Sequence, residues 1–178
     1  DRTTIRECAT VNRGTASKGF TKVGEDCLIM AYSHIAHDCI LKNHIIIGNA
    51  TQLAGEIEVD DYATISGGSL IHQFTRIGAH VMIQGGSKIP KDIPPYIMVG
   101  REPIAYVGLN VVGLRRRGFT SDQINAIQEI YRTIYLSGLN VSQALDRIEN
   151  EMPVSYERDH ILDFIRNSSR GIVRGNLD

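Results

Sequence analysis

From Ile5 onward an aliphatic residue recurs at every sixth position: Ile5, Val11, Val23, Ile29, Ile35, Leu41, Ile47, Leu53, Val59, Ile65, Ile71, Ile77, Ile83 and Ile89. Only Ser17 interrupts the series, inside Ala16-Ser17-Lys18-Gly19-Phe20, a stretch with the composition of a loop. About a quarter of the chain is Ile, Leu or Val, so chance does not fill fourteen slots of fifteen. Four residues after each lead position comes a small or aliphatic residue, among them Ala9, Thr15, Thr21, Cys27, Ser33, Cys39, Ile45, Thr51 and Ser69, and none of this set is charged. A helix needs apolar spacing near 3.6 and a half-buried strand alternates by two. Period six, with a large and a small inward residue, predicts an all-β solenoid of the hexapeptide-repeat kind: a left-handed parallel β-helix. Three hexads make an 18-residue turn, so residues 5–94 give about five turns, stacked at roughly the 4.8 Å spacing of neighbouring strands.

Pro90, Pro94 and Pro95 end the repeat, which sets the solenoid at residues 1–99. Residues 100–119 read as a loop-rich bridge. Beyond it the period changes. Thr120 with Gln123 has the form of a capping box, and Ile124, Ile127, Ile130, Tyr131 and Ile134 follow at helical spacing up to Gly138. A second helix is expected over 141–151 and a third over 155–168, begun by Ser155. Residues 120–178 therefore form a small C-terminal helical domain, and it caps a prism end that would otherwise expose a core layer.

Composition narrows the function only slightly. Lys and Arg total 19 against 20 Asp and Glu, so no broad cationic field points to nucleic acid or a membrane surface. No apolar run approaches a membrane span, and the N-terminus lacks the shape of a signal peptide. Three cysteines (Cys8, Cys27, Cys39) without metal-like spacing read as reduced thiols of a cytoplasmic protein. Scarce aromatics and no tryptophan suit a core of stacked aliphatics.

Stacking the chain by eighteens places chemistry on that frame. His37, Gly55 and Gln73 fall in one column; Gly67 lies under Gly85 and Gly68 under Gly86, a face without side chains where a ligand can approach the backbone. An unperturbed imidazole suits a general base at neutral pH. Asp38 would orient it if the chain bends there. The Gly55 N–H one turn above is a candidate oxyanion donor. Base plus oxyanion donor is the minimum for moving an acyl group from a thioester to a hydroxyl; solvent-facing turn histidines are the plainer alternative. His72 and Gln73 add polar groups nearby, whereas His44, His80 and His160 read as surface residues. Arg115-Arg116-Arg117, after Asn110, is the one dense basic cluster; it suits a diphosphate or is a solvated run leading into the cap.

His34-Ile35-Ala36-His37-Asp38-Cys39, Leu53-Ala54-Gly55, His72-Gln73-Phe74, the segment from Ile77 through His80 to Met82, Pro94-Pro95-Tyr96 and the segment Gly113 to Phe119 together resemble the acyl-ACP:UDP-N-acetylglucosamine O-acyltransferases of lipid A synthesis. The resemblance implies transfer of a 3-hydroxyacyl chain from acyl carrier protein to the sugar 3-hydroxyl, with no metal and no cofactor. It implies His37 as base with Asp38 as its partner, and Gly55 N–H on the oxyanion. His34, His72 and Gln73 would contact substrate, Asn110, Arg116 and Arg117 the nucleotide, and Met82 and Gly85 the acyl-chain groove. An open groove at Gly85 implies a long chain. The resemblance also implies a homotrimer with sites between prisms and further N-terminal turns ahead of Asp1. Glu56 and Asn12 depart from it, each standing where a histidine is expected.

Rival readings are a related sugar N-acyltransferase or O-acetyltransferase, a β-helical carbonic anhydrase, and an inactive scaffold. Carbonic anhydrase needs three histidines on one zinc. Here His34 and His72 are out of register, and His44 and His80 are two turns apart.

Overall fold

In a computed structural model, which describes residues 1–175, the chain winds as a triangular parallel β-helix capped by helices. Fourteen two-residue strands lie on three faces. The first face carries Thr4–Ile5, Leu28–Ile29, Ile46–Ile47, Thr64–Ile65 and Met82–Ile83, and the second Thr10–Val11, His34–Ile35, Gln52–Leu53, Leu70–Ile71 and Lys88–Ile89. The third carries Lys22–Val23, Ile40–Leu41, Glu58–Val59 and Arg76–Ile77. From the second turn up to Ile89 residues pair at a spacing of eighteen, as in His34 with Gln52 and Ile40 with Glu58, and the last turn closes at sixteen, Met82 with Met98. Ile29, Ile35, Leu41, Ile47, Leu53, Val59, Ile65 and Ile83 are wholly buried. Losing such a side chain, as in Ile65→Ala, costs about 2–5 kcal/mol.

Each hexad owes its bend to one corner residue in the left-handed region. These recur every six positions, through Tyr32, Asp38, His44, Ala50, Glu56 and Tyr62, with Gly68 and Gly86 taking two of the places. A non-glycine residue there costs roughly a kcal/mol or more, repaid by burial of the following hexad. The small inward positions satisfy corner carbonyls: Ser33 Oγ donates to Gly48 O at 2.9 Å, and Cys39 Sγ to Ala54 O at 3.1 Å. That explains why Ser, Thr and Cys occupy a core slot.

Three expectations change. The first turn spans 24 residues, since Thr4 pairs with Leu28 and Thr10 with His34. The six extra residues are taken up in the loop 12–20, which projects from the corner between the second and third faces. There are therefore four full turns and a fifth closed by an Ile77–Ile93 bridge, rather than five regular ones. Thr15 is not inward but exposed in that loop, and Ile5 and Val11, in the first turn, are exposed at 52% and 42%. The stretch 100–119 is not simply loop. Strand Ile97–Gly100 turns back antiparallel with Ala105–Leu109, extending the first face to seven strands, and helix α1 follows over Val111–Arg116.

The cap matches its periodicity: α2 (Ser121–Leu136) begins at a Thr120–Gln123 capping box, α3 (Val141–Glu151) at Asn140, and α4 (Tyr156–Arg166) at Ser155. Positions 176–178 of the expected domain lie outside the described residues. Aromatics concentrate where cap meets prism. Tyr131 is buried and donates to Pro95 O at 2.6 Å, and Tyr106 stacks against both Tyr131 and Tyr135.

Candidate active site

The corner between the second and third faces assembles the expected chemistry. Asp38 takes the left-handed corner conformation (φ 60°), which turns its side chain back beside its sequence neighbour. His37 Nδ1 lies 2.8 Å from Asp38 Oδ2. A carboxylate only accepts, so Nδ1 carries the proton and Nε2 is left free to act as a base. His37 is 38% exposed and Asp38 not at all. Burial raises the Asp38 carboxyl's pKa, but hydrogen bonds from the Thr15 hydroxyl, His37, and the Thr15 and Lys18 N–H groups outweigh it. They hold the carboxyl well below the usual carboxylate range, so Asp38 stays ionised.

One turn above, Gly55 forms the wall against the imidazole. A Cβ at position 55 would sit 2.5 Å from His37 Cε1 and 2.6 Å from Nε2. The neighbouring Glu56 N–H donates to His37 O and the Gly55 carbonyl accepts from Phe74 N. The Gly55 N–H has no hydrogen bond among the described residues. A free donor beside a free imidazole nitrogen is the arrangement required for base catalysis with oxyanion stabilisation.

The adjoining second face carries an open groove of about 550 Å³, lined by His34 and His72 with Leu53, Leu70, Ile71 and Ile104 among others. Its lining is mostly apolar, with Gln52, Lys88 and Glu102 the remaining polar groups. His34 Nδ1 bonds Thr10 Oγ1 at 2.7 Å and His72 Nδ1 bonds Gln73 O at 2.9 Å. The structure thus gathers His34, His37, Asp38, Gly55, His72 and Gln73 along one face and its edge. Sequence reasoning missed Thr15, Lys18, Leu70, Pro103 and Ile104. Ser17, breaking the hexad, was the signal for the first two; the last two arrive from the hairpin beyond the repeat, which no period marks.

The family description "Udp N-acetylglucosamine O-acyltransferase; Domain 2" matches residues 92–173, and "Bacterial transferase hexapeptide (six repeats)" matches residues 20–55. An acyl-[acyl-carrier-protein]–UDP-N-acetylglucosamine O-acyltransferase of Burkholderia mallei is 41% identical over 98% of this chain and 68% of its own length. The chain belongs to the UDP-N-acetylglucosamine O-acyltransferase family. Among solved structures, the UDP-N-acetylglucosamine acyltransferase of Bacteroides fragilis is 53% identical with TM-score 0.90, covering 93% of this chain and 70% of that one. The Francisella novicida enzyme is 39% identical with TM-score 0.95, covering 98% and 64%.

For this O-acyltransferase the remaining expected residues fall elsewhere on the prism. Asn110 is buried and both ends of its amide are engaged: Oδ1 caps α1 through Gly113 N and Nδ2 donates to His80 O. Its visible work is to seat α1. Arg117 lies over the Tyr62 ring at 5.0 Å and donates to Tyr62 O at 3.2 Å, on the corner between third and first faces; Arg116 is exposed at the end of α1. One whole face of the same chain separates them from His37. Met82 is half-buried on the outside of the first face, and Gly67 and Gly85 occupy the first-to-second corner. Gly68 and Gly86 have φ of 71° and 73°, so backbone demand accounts for those two. Gly67 and Gly85 lack that excuse; a Cβ at Gly85 would meet Gly67 O at 3.2 Å. Glu56 is a half-buried corner residue and Asn12 opens the loop 12–20, donating to Ile35 O.

The histidines read as surface residues are not all so. His44, Tyr62, His80 and Tyr96 stack in sequence, with centroids 4.4, 5.0 and 5.6 Å apart, and Tyr62 lies between the two imidazoles that a zinc would have to join. His160 Nδ1 meets Tyr96 OH at 2.9 Å. Burial, then the nearby Arg117 charge, pushes His80 down to about 4, and burial lowers His160 too. Between pH 6.5 and 4 the unfolded chain therefore binds more protons than the folded one. The corresponding stability is fully present above pH 6.5 and is lost on acidification toward 4, in part screened by solvent at the half-exposed His80. Denaturation at stepped pH should show this decline, and His80→Gln should flatten it; an unchanged slope would refute the assignment.

Proposed function

We propose that this chain transfers a 3-hydroxyacyl group from the thioester of acyl carrier protein to the 3-hydroxyl of UDP-N-acetylglucosamine, the first step of lipid A synthesis. The carrying observation is the free His37 nitrogen packed against Gly55 while its other nitrogen is held by ionised Asp38. In this reading His37 Nε2 takes the hydroxyl proton as the sugar oxygen attacks the thioester carbon. The Gly55 N–H receives the developing oxyanion. Collapse breaks the carbon–sulfur bond, and the proton on His37 passes to the departing thiolate. A base typically supplies 10²–10⁴-fold, and an oxyanion donor of about 3–4 kcal/mol a further 10²–10³-fold. The reaction calls for no metal and no cofactor beyond the donor thioester. His34, His72 and Gln73 contact substrate beside the apolar groove. Assay with UDP-N-acetylglucosamine and either 3-hydroxyacyl carrier protein or acetyl-CoA tests it; the reading expects an ester from the former, and acetyl transfer alone would overturn it.

The separation of Arg116 and Arg117 from His37 within one prism favours an assembly, a homotrimer, in which one chain's basic corner meets its neighbour's base. Asn110 contributes by fixing the helix that ends on Arg116 and is capped by Arg117. Replacing both arginines by Ala should raise the KM for the sugar nucleotide severalfold with the donor KM little changed; equal changes would mark a structural role. Met82 and Gly85 border the first face, where the bare Gly67–Gly85 edge leaves space for a long acyl chain. A donor held on acyl carrier protein supports a cytoplasmic location.

A further inference from the structure

The loop 12–20 supplies no strand to the prism and lengthens the first turn by six residues. What it does touch is Asp38. Thr15 Oγ1 donates to Asp38 Oδ2 at 2.6 Å, Thr15 N reaches Oδ1 at 2.9 Å and Oδ2 at 3.1 Å, and Lys18 N reaches Oδ1 at 3.2 Å. His37 supplies the only other bond to that carboxylate among the described residues. The loop is itself braced. Gly19 N donates to Thr15 O at 2.8 Å, Gly14 is pressed so close to the returning chain at Gly19 and Phe20 that no side chain fits, and Lys18 Nζ pairs with Glu58 at 3.0 Å on the third face.

We infer that Thr15, presented by the loop 12–20, is a positioning residue for acyl transfer: it fixes the Asp38 carboxylate, which in turn fixes the ring and tautomer of His37. The inference rests on the proposed role of His37 as base. A carboxylate with two oxygens and a rotatable Cα–Cβ bond orients an imidazole only if other donors hold it, and here every one of them comes from Thr15 or Lys18. The Oδ2 atom that accepts from His37 is also the one that accepts the Thr15 hydroxyl, so the two bonds share a fixed point. The Thr15 hydroxyl also accepts from Ser17 N at 3.3 Å within the loop, so a purely structural role is told apart by the His37 tautomer and the split between kcat and KM rather than by need of the hydroxyl alone.

The test uses the intact enzyme with Thr15→Val, which keeps shape and N–H and removes the hydroxyl, and Thr15→Ser, which restores it. Misorientation of a reacting group by about an ångström costs up to 10²-fold, so Thr15→Val should lower kcat about ten- to a hundredfold while both KM values stay within about threefold. In ¹⁵N spectra of labelled imidazole, His37 should hold one tautomer with a protected Nδ1 proton in the parent and a mixture in Thr15→Val. Thr15→Ser should recover at least about half of kcat. Should Thr15→Val fold poorly, Thr15→Ala read by the same spectrum and the same kcat–KM split takes its place. The inference is overturned if Thr15→Val keeps kcat within threefold and the parent tautomer, or if Thr15→Ser is as impaired as Thr15→Val. Assaying His37→Ala alongside separates the two levels: an active His37→Ala removes the base itself, whereas an inactive one beside a fully active Thr15→Val removes only the positioning role.

Discussion

His37→Ala is expected to lower kcat by 10²-fold or more without unfolding the protein, because loss of a general base typically costs that much. The side chain stands at a corner and is 38% exposed, so truncation opens no core cavity. Asp38 keeps its bonds from Thr15 and Lys18 when the imidazole is gone, so no buried carboxylate is left without partners. Thermal denaturation should therefore move by only a few degrees, as for other half-exposed sites. Retention of more than about a tenth of the activity would refute His37 as base.

Gly55→Ala should be nearly as damaging by a different route. Gly55 does not adopt a left-handed conformation, so alanine suits the backbone and the unfolded state favours it slightly. The added methyl, however, would lie 2.5 Å from His37 Cε1 and 2.6 Å from Nε2. The ring must then swing away, lengthening its bond to Asp38 and vacating the place where a hydroxyl proton is taken. We expect kcat to fall about a hundredfold, the loss that follows displacement of a reacting group by about an ångström, with stability nearly unchanged. Activity within threefold of the parent would show that the glycine is only a corner residue.

The prism was legible because its period is imposed by geometry: three faces, one buried aliphatic per face, and no other element with spacing six. The loop 12–20 preserved that phase because it lengthens the first turn by six residues, one hexad, which is why Thr15 read as a core residue although it points at Asp38. The His37–Gly55–Gln73 column followed from spacing alone, since the turns that carry it each hold eighteen residues. The bend that joins His37 to Asp38 did not, because left-handed corners fall on residues as different as Tyr32, Ala50 and Glu56 and leave no compositional trace. The hairpin over 97–109 escaped notice for want of an alternating pattern, and its Pro103 and Ile104 complete a groove the repeat only begins. His80 and His160 were misread because their burial comes from stacking between distant parts of the chain, α4 against the prism corner.

Diffraction from the protein soaked with UDP-N-acetylglucosamine tests the central claim, that the His37 corner deprotonates the sugar. The account predicts the 3-hydroxyl oxygen within hydrogen-bond reach of His37 Nε2, about 2.6–3.2 Å, with the Gly55 N–H left open for the donor's carbonyl oxygen. A sugar bound with its 3-hydroxyl out of reach of His37, and facing another residue able to accept its proton, would contradict it.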